Sequence, residues 1–330
     1  MKVTVRGERV SDYSQIAGVN YEAFLGWHPD NPYVAEPVIV DLLRHNALFD
    51  PELSLVAELD GEVVGHVLLS PFRFVVLGQE QPGVVLGPVG VRPGHQKAGI
   101  GTMLIEEGHK RAAAKGFALS VLCGHPEYYP RFGYRTGLFS LAGARVRMKP
   151  GGFDCSGLEE RPVSARDVPW IVEAWEREHG RDSLALFPGT GVSSWSSHGP
   201  GTRCSVVLRQ GTPLGYVRYE AAGPLRVKEI LRNNGELPDL LAFILARRRE
   251  QKPREVYLPL PEEAVRGQFP ESERVDIVDE QVANEAFMIK VLDDSQTAVK
   301  EYCLETERKS IKPGIVVFPP MFDVDDGRHE

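Results

Sequence analysis

Glycines stand at positions 90, 94, 99 and 101 in the stretch Val89-Gly90-Val91-Arg92-Pro93-Gly94-His95-Gln96-Lys97-Ala98-Gly99-Ile100-Gly101-Thr102. Val84 to Val91 is an apolar run that reads as a buried strand, and Gly101 to Lys115 reads as a helix. The glycine-rich segment between them is therefore a strand-to-helix turn. A turn of this kind aims several backbone N–H groups in one direction, and the positive end of the helix dipole adds to them. The chemistry offered is capture of a phosphate or pyrophosphate, which can lie against the main chain where glycines 99 and 101 lack a Cβ. A Walker A loop is excluded, because Thr102-Met103 stands where Lys-Ser or Lys-Thr is required. The dinucleotide fingerprint is excluded too, because its third glycine falls on Leu104.

A second group of reactive side chains lies about thirty residues on, where the strand-like Ala118 to Cys123 runs into Gly124-His125-Pro126-Glu127-Tyr128-Tyr129-Pro130-Arg131-Phe132-Gly133-Tyr134. A histidine with an ordinary pKa near 6.5 can relieve an ammonium of its proton, so His125, with Glu127 beside it, is a candidate base. The same residues also read as a turn with His125 bonded to backbone. Cys123 with His125 has the residue types of a thiol nucleophile but lacks a third partner.

Gln-x-x-Gly-x-Gly preceded by Val-x-Pro, followed at this distance by Tyr-x-x-x-Gly-Tyr, resembles the GNAT superfamily of acetyl-CoA-dependent N-acetyltransferases. The resemblance implies a mixed α/β sheet and direct transfer of an acetyl group from acetyl-CoA to a primary amine of a small molecule in a ternary complex. It implies that Val89 and Val91 pair with the pantetheine arm, and that the amides of Gln96, Lys97, Ala98, Gly99, Ile100, Gly101 and Thr102 hold the pyrophosphate, with Lys97 or Arg92 adding charge. Tyr129 is then the expected general acid toward the departing thiolate. Phe24, Trp27, His28 and Tyr33 become candidate substrate contacts, although they serve equally as packing between the first two helices. A protein of another class, a non-catalytic acyl-CoA sensor on the same scaffold, is the alternative.

The elements that must position these residues are legible in order. Met1 to Arg6 alternates as a strand, and Ser11 or Asp12 can cap a helix through about Leu25 with Ile16, Val19, Ala23 and Phe24 on one side. A second helix is expected near Ala35 to Leu48. Leu53–Leu59 and Val63–Leu69 are joined at Asp60-Gly61, a hairpin signal. A second turn is expected from Gly78 to Gly83, and closing strands from Tyr134 to Met148. Acceptor specificity is expected in the loops around 24–36 and 66–82.

Lys149-Pro150-Gly151-Gly152 is the most linker-like stretch, and after it the pattern restarts. Arg161 to Ile171 echoes Arg9 to Ile16; Cys204–Leu208 and Pro213–Tyr219 form a hairpin about Gln210-Gly211; then Val227–Leu231, a helix Leu237–Arg248 and a strand Glu255–Leu260 follow. Here the loop reads Leu231-Arg232-Asn233-Asn234-Gly235-Glu236-Leu237, without the cofactor motif. The expected organisation is a catalytic domain over 1–150 and a second, degenerate GNAT-like domain over 151–330. That tandem resembles the enhanced-intracellular-survival type of acetyltransferase, down to the closing Phe287 to Asp293. It departs from the type after Asp293, where only 37 residues remain, too few for a sterol-carrier-like domain.

Composition bounds the rest. Of the 330 residues 42% are hydrophobic and 25% charged, and no apolar run nears the roughly 20 residues that cross a bilayer. The N-terminus does not read as a signal peptide, so a cytoplasmic protein without a membrane partner is expected. Cysteines 123, 155, 204 and 303 are far apart, which predicts neither a disulfide framework nor a metal site, but buried thiols. Residues 1–150 hold 15 basic and 15 acidic side chains; the remainder holds 23 and 31, the whole net charge of −8. An acidic second half argues against nucleic acid and suits either a cationic small molecule or plain solvation. The second half is expected to cap the acceptor site or to form a homo-oligomer interface.

Overall fold

The computed structural model describes residues 3–27, 33–148, 155–221, 223–247, 255–269, 275–293, 295 and 297–324. The chain forms two compact units: residues 1–76, 80–138 and 285–308 make the first, and 77–79, 139–284 and 309–330 the second. The expected linker, Lys149 to Gly152, lies outside the described residues. The division falls at Leu138 rather than at 150, and a segment from the end of the chain returns to the first unit.

In the first unit the elements are β1 (Thr4–Gly7), α1 (Tyr13–Phe24), α2 (Glu36–Arg44), β2 (Ser54–Leu59), β3 (Glu62–Val76), β4 (Gln79–Val91), α3 (Ile100–Ala114), β5 (Leu119–Cys123), β6 (Arg135–Thr136), β7 (Phe287–Val291) and α4 (Thr297–Glu307). The sheet runs β1-β2-β3-β4-β5-β7-β6. The β2–β3 turn is the expected one, Asp60 and Gly61 both having positive φ (52° and 88°). The next turn is tighter than expected. It occupies Leu77 and Gly78 alone (φ 49° and 71°), so the anticipated specificity loop at 66–82 is regular hairpin.

Asp12 does not cap α1 with its side chain. Its carboxylate accepts instead from the Arg9 amide at 2.7 Å and from the Arg6 guanidinium at 2.6 and 3.1 Å, which fixes the strand-to-helix corner. The helix α2 ends at Arg44, short of Leu48, and Arg44 makes a two-bond contact with buried Glu8. The core of the unit packs α3 residues Ile100, Leu104, Ile105 and Ala112 against Leu55, Ala57, Val64, Val67 and Leu69. Close approach is possible because a Cβ on Gly65 would lie only 2.9 Å from Ile100 and one on Gly108 only 2.5 Å from Leu69.

The closing strands depart from expectation. Only Arg135–Thr136 stays in the first sheet, while Phe139–Ser140 and Ala144–Met148 belong to the second unit. The neighbour of β5 is β7, antiparallel, with Phe287 opposite Cys123 and Val291 opposite Leu119. Reciprocally, Ala144–Met148 pairs antiparallel with Glu255–Leu258 in the second unit. Each half of the sequence thus supplies a strand to the sheet system of the other.

The second unit repeats the element order: Leu158–Arg161, α-helix Val168–His179, the hairpin Thr202–Arg209 and Thr212–Glu220, Val227–Arg232, α-helix Leu237–Arg247 and Glu255–Leu258. Its main sheet runs Val227–Arg232, Thr212–Glu220, Thr202–Arg209, Leu158–Arg161. Gln210 and Gly211 turn with the same two positive φ angles as the first hairpin (51° and 78°). Arg161 and Asp167 pair at 2.6 and 2.6 Å with the six-residue spacing of Arg6 and Asp12, and the Ser164 amide donates to Asp167 as the Arg9 amide does to Asp12.

Candidate functional site

Strand β4 passes from pairing to exposure along its length. Its parallel register with β5 covers only Gly83, Val84 and Val85, opposite Leu119, Ser120 and Val121. Beyond this the two strands part, because β5 ends at Cys123 and the amide of Gly124 donates to Ala286 O (2.9 Å) on the way into β7. The Arg92 amide donates to Val64 O of β3 at 2.9 Å. Backbone direction alternates along a strand, so the groups of Val89 and Val91 face the side that β5 has left. One of them is already engaged: the Gln96 side chain donates to Val91 O at 3.0 Å, folding the following turn back onto the strand end.

The turn itself is a cradle of amides. Lys97 and Gly99 are both left-handed, with φ of 62° and 81°, and α3 begins at Ile100 with no side-chain cap. Among the described residues no backbone carbonyl accepts from the amides of Lys97 through Thr102, whereas the Gln96 amide makes a long contact of 3.4 Å to Pro93 O and is the one expected donor that is occupied. A Cβ placed on Gly99 would meet nothing within 4 Å, so there is room in front of the main chain for an anion. Ile100 is buried and anchors the turn, while Lys97, Ala98 and Gly99 are exposed. Arg92 does not serve the cradle: its side chain is turned to α1, 3.9 Å from Glu22 and close to Gly18.

The corresponding turn of the second unit is closed. The amides of Asn233 and Gly235 both donate to Leu214 O, at 2.8 and 2.9 Å. A Cβ on Gly235 would fall 2.6 Å from the Leu214 side chain, and Arg232 is clamped by Glu178 at 2.8 Å. Those donors are spent within the fold, and the space before them is filled.

Tyr129 opens a 3-10 turn, Tyr129–Phe132, that follows β5. Its half-buried ring packs on Gly124, edge-on to Tyr128 and Tyr134 with centroids 5.1 and 5.9 Å away. Burial, with the neighbouring Tyr128 and Cys123, pushes its phenol up to about 12. It stays protonated at neutral pH and can give a proton but not take one. Beneath the turn Lys290 of β7 donates to Phe132 O at 2.6 Å. His125 and Glu127 are exposed beside Tyr129 in sequence. Cys123 is exposed rather than buried, and desolvation of its sulfur raises the thiol pKa, away from the thiolate a nucleophile needs. Cys204 and Cys303 are buried as expected.

Of the candidate acceptor contacts, Phe24 ends α1, Trp27 ends the 3-10 turn Leu25–Trp27, and Tyr33 is exposed ahead of α2. His28 lies outside the described residues. Among the described residues no three His, Cys, Asp or Glu side chains converge as a metal ion would require, and no helix is long and apolar enough to cross a membrane.

Two residues at the cradle escape a reading by motif. Arg131 donates to Thr102 Oγ1 at 3.2 Å across the start of α3, and the Tyr128 hydroxyl stands 3.3 Å from where a Cβ on Gly101 would be. Their signal in the sequence is only that an aromatic and a cation flank Tyr129; the turn that folds them over the helix start is a tertiary fact. A buried polar chain was equally invisible: Asn20 donates to His66 Nδ1 (3.1 Å), His66 meets Ser54 (3.0 Å), and Ser54 donates to Glu8 (2.6 Å).

Comparison with known proteins agrees with this geometry. The family profile described as "Acetyltransferase (GNAT) domain" matches residues 4–137. The uncharacterized N-acetyltransferase YjhQ of Escherichia coli K12 is 32% identical over 124 residues, 38% of this chain; the match spans 65% of that relative's length. A GCN5-related N-acetyltransferase from Anabaena variabilis superposes with a TM-score of 0.64 at 14% identity, covering 88% of this chain and 73% of its own. Eis1 from Mycobacterium abscessus does so with a TM-score of 0.56 at 18% identity, covering 88% and 74%. At those identities the two structures show the fold, a mixed α/β fold shared across most of the chain. The glycine cradle, the parted strands β4 and β5 and the Tyr129 turn all fall inside residues 4–137, the part of this chain that matches the GNAT acetyltransferase domain.

Proposed function

We propose that this protein transfers the acetyl group of acetyl-CoA to a primary amine of a small molecule, by direct attack within a ternary complex. The observation that carries the reading is the set of amides from Lys97 to Thr102 at the start of α3, from which no backbone carbonyl among the described residues accepts, beside a strand whose Val89 and Val91 lie past the end of its pairing with β5. The amides are the partners for the donor's pyrophosphate, and Val89 and Val91 for its pantetheine arm. Acetyl-CoA supplies the activated acyl group. The acceptor nitrogen adds to the carbonyl carbon, the C–S bond breaks, and the nitrogen gives up a proton. Tyr129 donates its phenolic proton to the leaving sulfur and regains one from solvent. His125 or Glu127 receives the proton of the acceptor, and Phe24, Trp27 and Tyr33 wall the acceptor side. The second unit is read as a GNAT-like copy that has lost its donor site, since its corresponding amides are engaged by Leu214.

Calorimetric titration of the full chain with acetyl-CoA, then a panel of amines read by thiol release, tests this. One site per chain is expected, lost in the Gly99→Glu, Gly101→Glu double variant. Binding that survives that variant, or a wild-type chain that releases no thiol with any amine, would end the reading. Tyr129→Phe should lower kcat about a hundredfold with the Kd for acetyl-CoA unchanged.

A further inference from the structure

We propose that Arg131 is the cation of the donor site and that it grips the pyrophosphate of the CoA moiety. This deepens the reading above and rests on it. The guanidinium reaches Thr102 Oγ1 at 3.2 Å, in the first turn of α3, next to the amides of Gly99 to Thr102. It lies on the Tyr128 ring at 4.0 Å and within 4.7 Å of the Phe132 ring. That platform holds the planar group in place at low cost in side-chain freedom.

Among the described residues no carboxylate pairs with Arg131, although most arginines of the first unit have one. Arg6 is held by Asp12 and Glu58, Arg44 by Glu8, Arg73 by Glu80, Arg111 by Glu107 and Arg135 by Glu307. Of the two acids on α3, Glu107 is taken by Lys110 and Arg111, and Glu106 makes no ion pair with Arg131 among the described residues. Arg131 is exposed, so its remaining N–H donors stand open beside a row of unbonded amides. A forked cation adjoining a helix N-terminus fits paired phosphate oxygens. Its contact with Thr102, one residue past Gly101, assigns it to the pyrophosphate rather than to the 3′-phosphate of the ribose. The Tyr128 hydroxyl, poised above Gly101, belongs to the same edge of the cradle.

The test is calorimetric titration of the full-length wild type, Arg131→Gln and Arg131→Lys with CoA and with dephospho-CoA, at low and high salt. Expected is a loss of about tenfold in Arg131→Gln that is equal for the two ligands, partial recovery in Arg131→Lys, and a weaker salt dependence in the Gln variant. A merely structural arginine would not change the salt dependence. Loss confined to CoA would reassign Arg131 to the 3′-phosphate and overturn the inference, as would equal affinity of variant and wild type. A wild type that binds neither ligand would instead bring down the donor-site reading on which the inference stands.

Discussion

The ring of Tyr129 is seated directly on the α-carbon of Gly124: a Cβ at position 124 would lie 2.4 Å from Cε2 and 3.0 Å from Cδ2 of that ring. No side chain fits between them. The glycine therefore sets how deep the phenol sits, and the depth raises its pKa to about 12 by desolvation. Gly124→Ala should push the ring out of its seat at a cost of about 1–3 kcal/mol in stability. The expected kinetic signature is a kcat lowered tenfold or more with the Kd for acetyl-CoA within twofold, since the cradle is untouched. An alanine variant with wild-type kcat would show that Tyr129 needs no fixed position.

Lys290 reaches the same turn from the other side, donating to Phe132 O at 2.6 Å. It comes from a strand more than 150 residues away in sequence. Lys290→Met keeps the apolar stem and removes the donor, leaving the carbonyl of a buried residue unpaired for about 1–2 kcal/mol. We expect kcat to fall more than KM changes, and urea denaturation to report the loss. Unchanged kcat together with unchanged stability would refute the support role.

Strand β7 covers the edge of β5, and its Met288 and Ile289 are fully buried. A fragment ending at residue 150 would expose that edge and the apolar side chains behind it. The fragment should be aggregation-prone, whereas the full chain should not. Size-exclusion chromatography and a thermal melt of the two decide it; a monomeric fragment with a cooperative transition would contradict the exchanged-strand arrangement.

His66 and His109 are neutral inside the first unit, both held near pH 3, first by desolvation and then by the positive charges of Arg44 and Lys290 respectively. The unfolded chain takes up these protons near pH 6.5, so the folded state binds fewer below that value. Stability from these groups is complete above about pH 6.5 and is lost as pH falls toward 3, by about 1.4 kcal/mol per pH unit for each histidine. Because Ser54 donates to Glu8, it must accept from His66 Nε2–H, while Nδ1 accepts from Asn20. Nitrogen-edited NMR should find that tautomer, with neither imidazole titrating between pH 5 and 8. A midpoint inside that range would mean the ring is not so enclosed.

Local sequence was enough for whatever depends on a few neighbouring residues. Asp60-Gly61 could only be the hairpin turn, because two successive residues must take positive φ. The alternation of apolar residues marked β2 to β5, and glycines at 99 and 101 marked the turn between β4 and α3. The repeat was legible for the same reason: the corner that Arg6 and Asp12 make is local, and Arg161 and Asp167 make it again at the same spacing.

Contacts over long separations were decided only by the folded chain. The alternation that marks Ala144–Met148 and Phe287–Val291 as strands says nothing about their partners, and each pairs with a strand from the other half of the sequence, Glu255–Leu258 and Leu119–Cys123 respectively. Arg92 and Arg131 are both cations near the motif, yet one is turned to α1 and Glu22 and the other to the start of α3. Which way each side chain faces depends on strand parity and on the turn after β5, neither of which is encoded by residue type. Spacing along the chain fixes torsions and faces, while the identity of a neighbour across a sheet is chosen by the burial of the whole apolar surface.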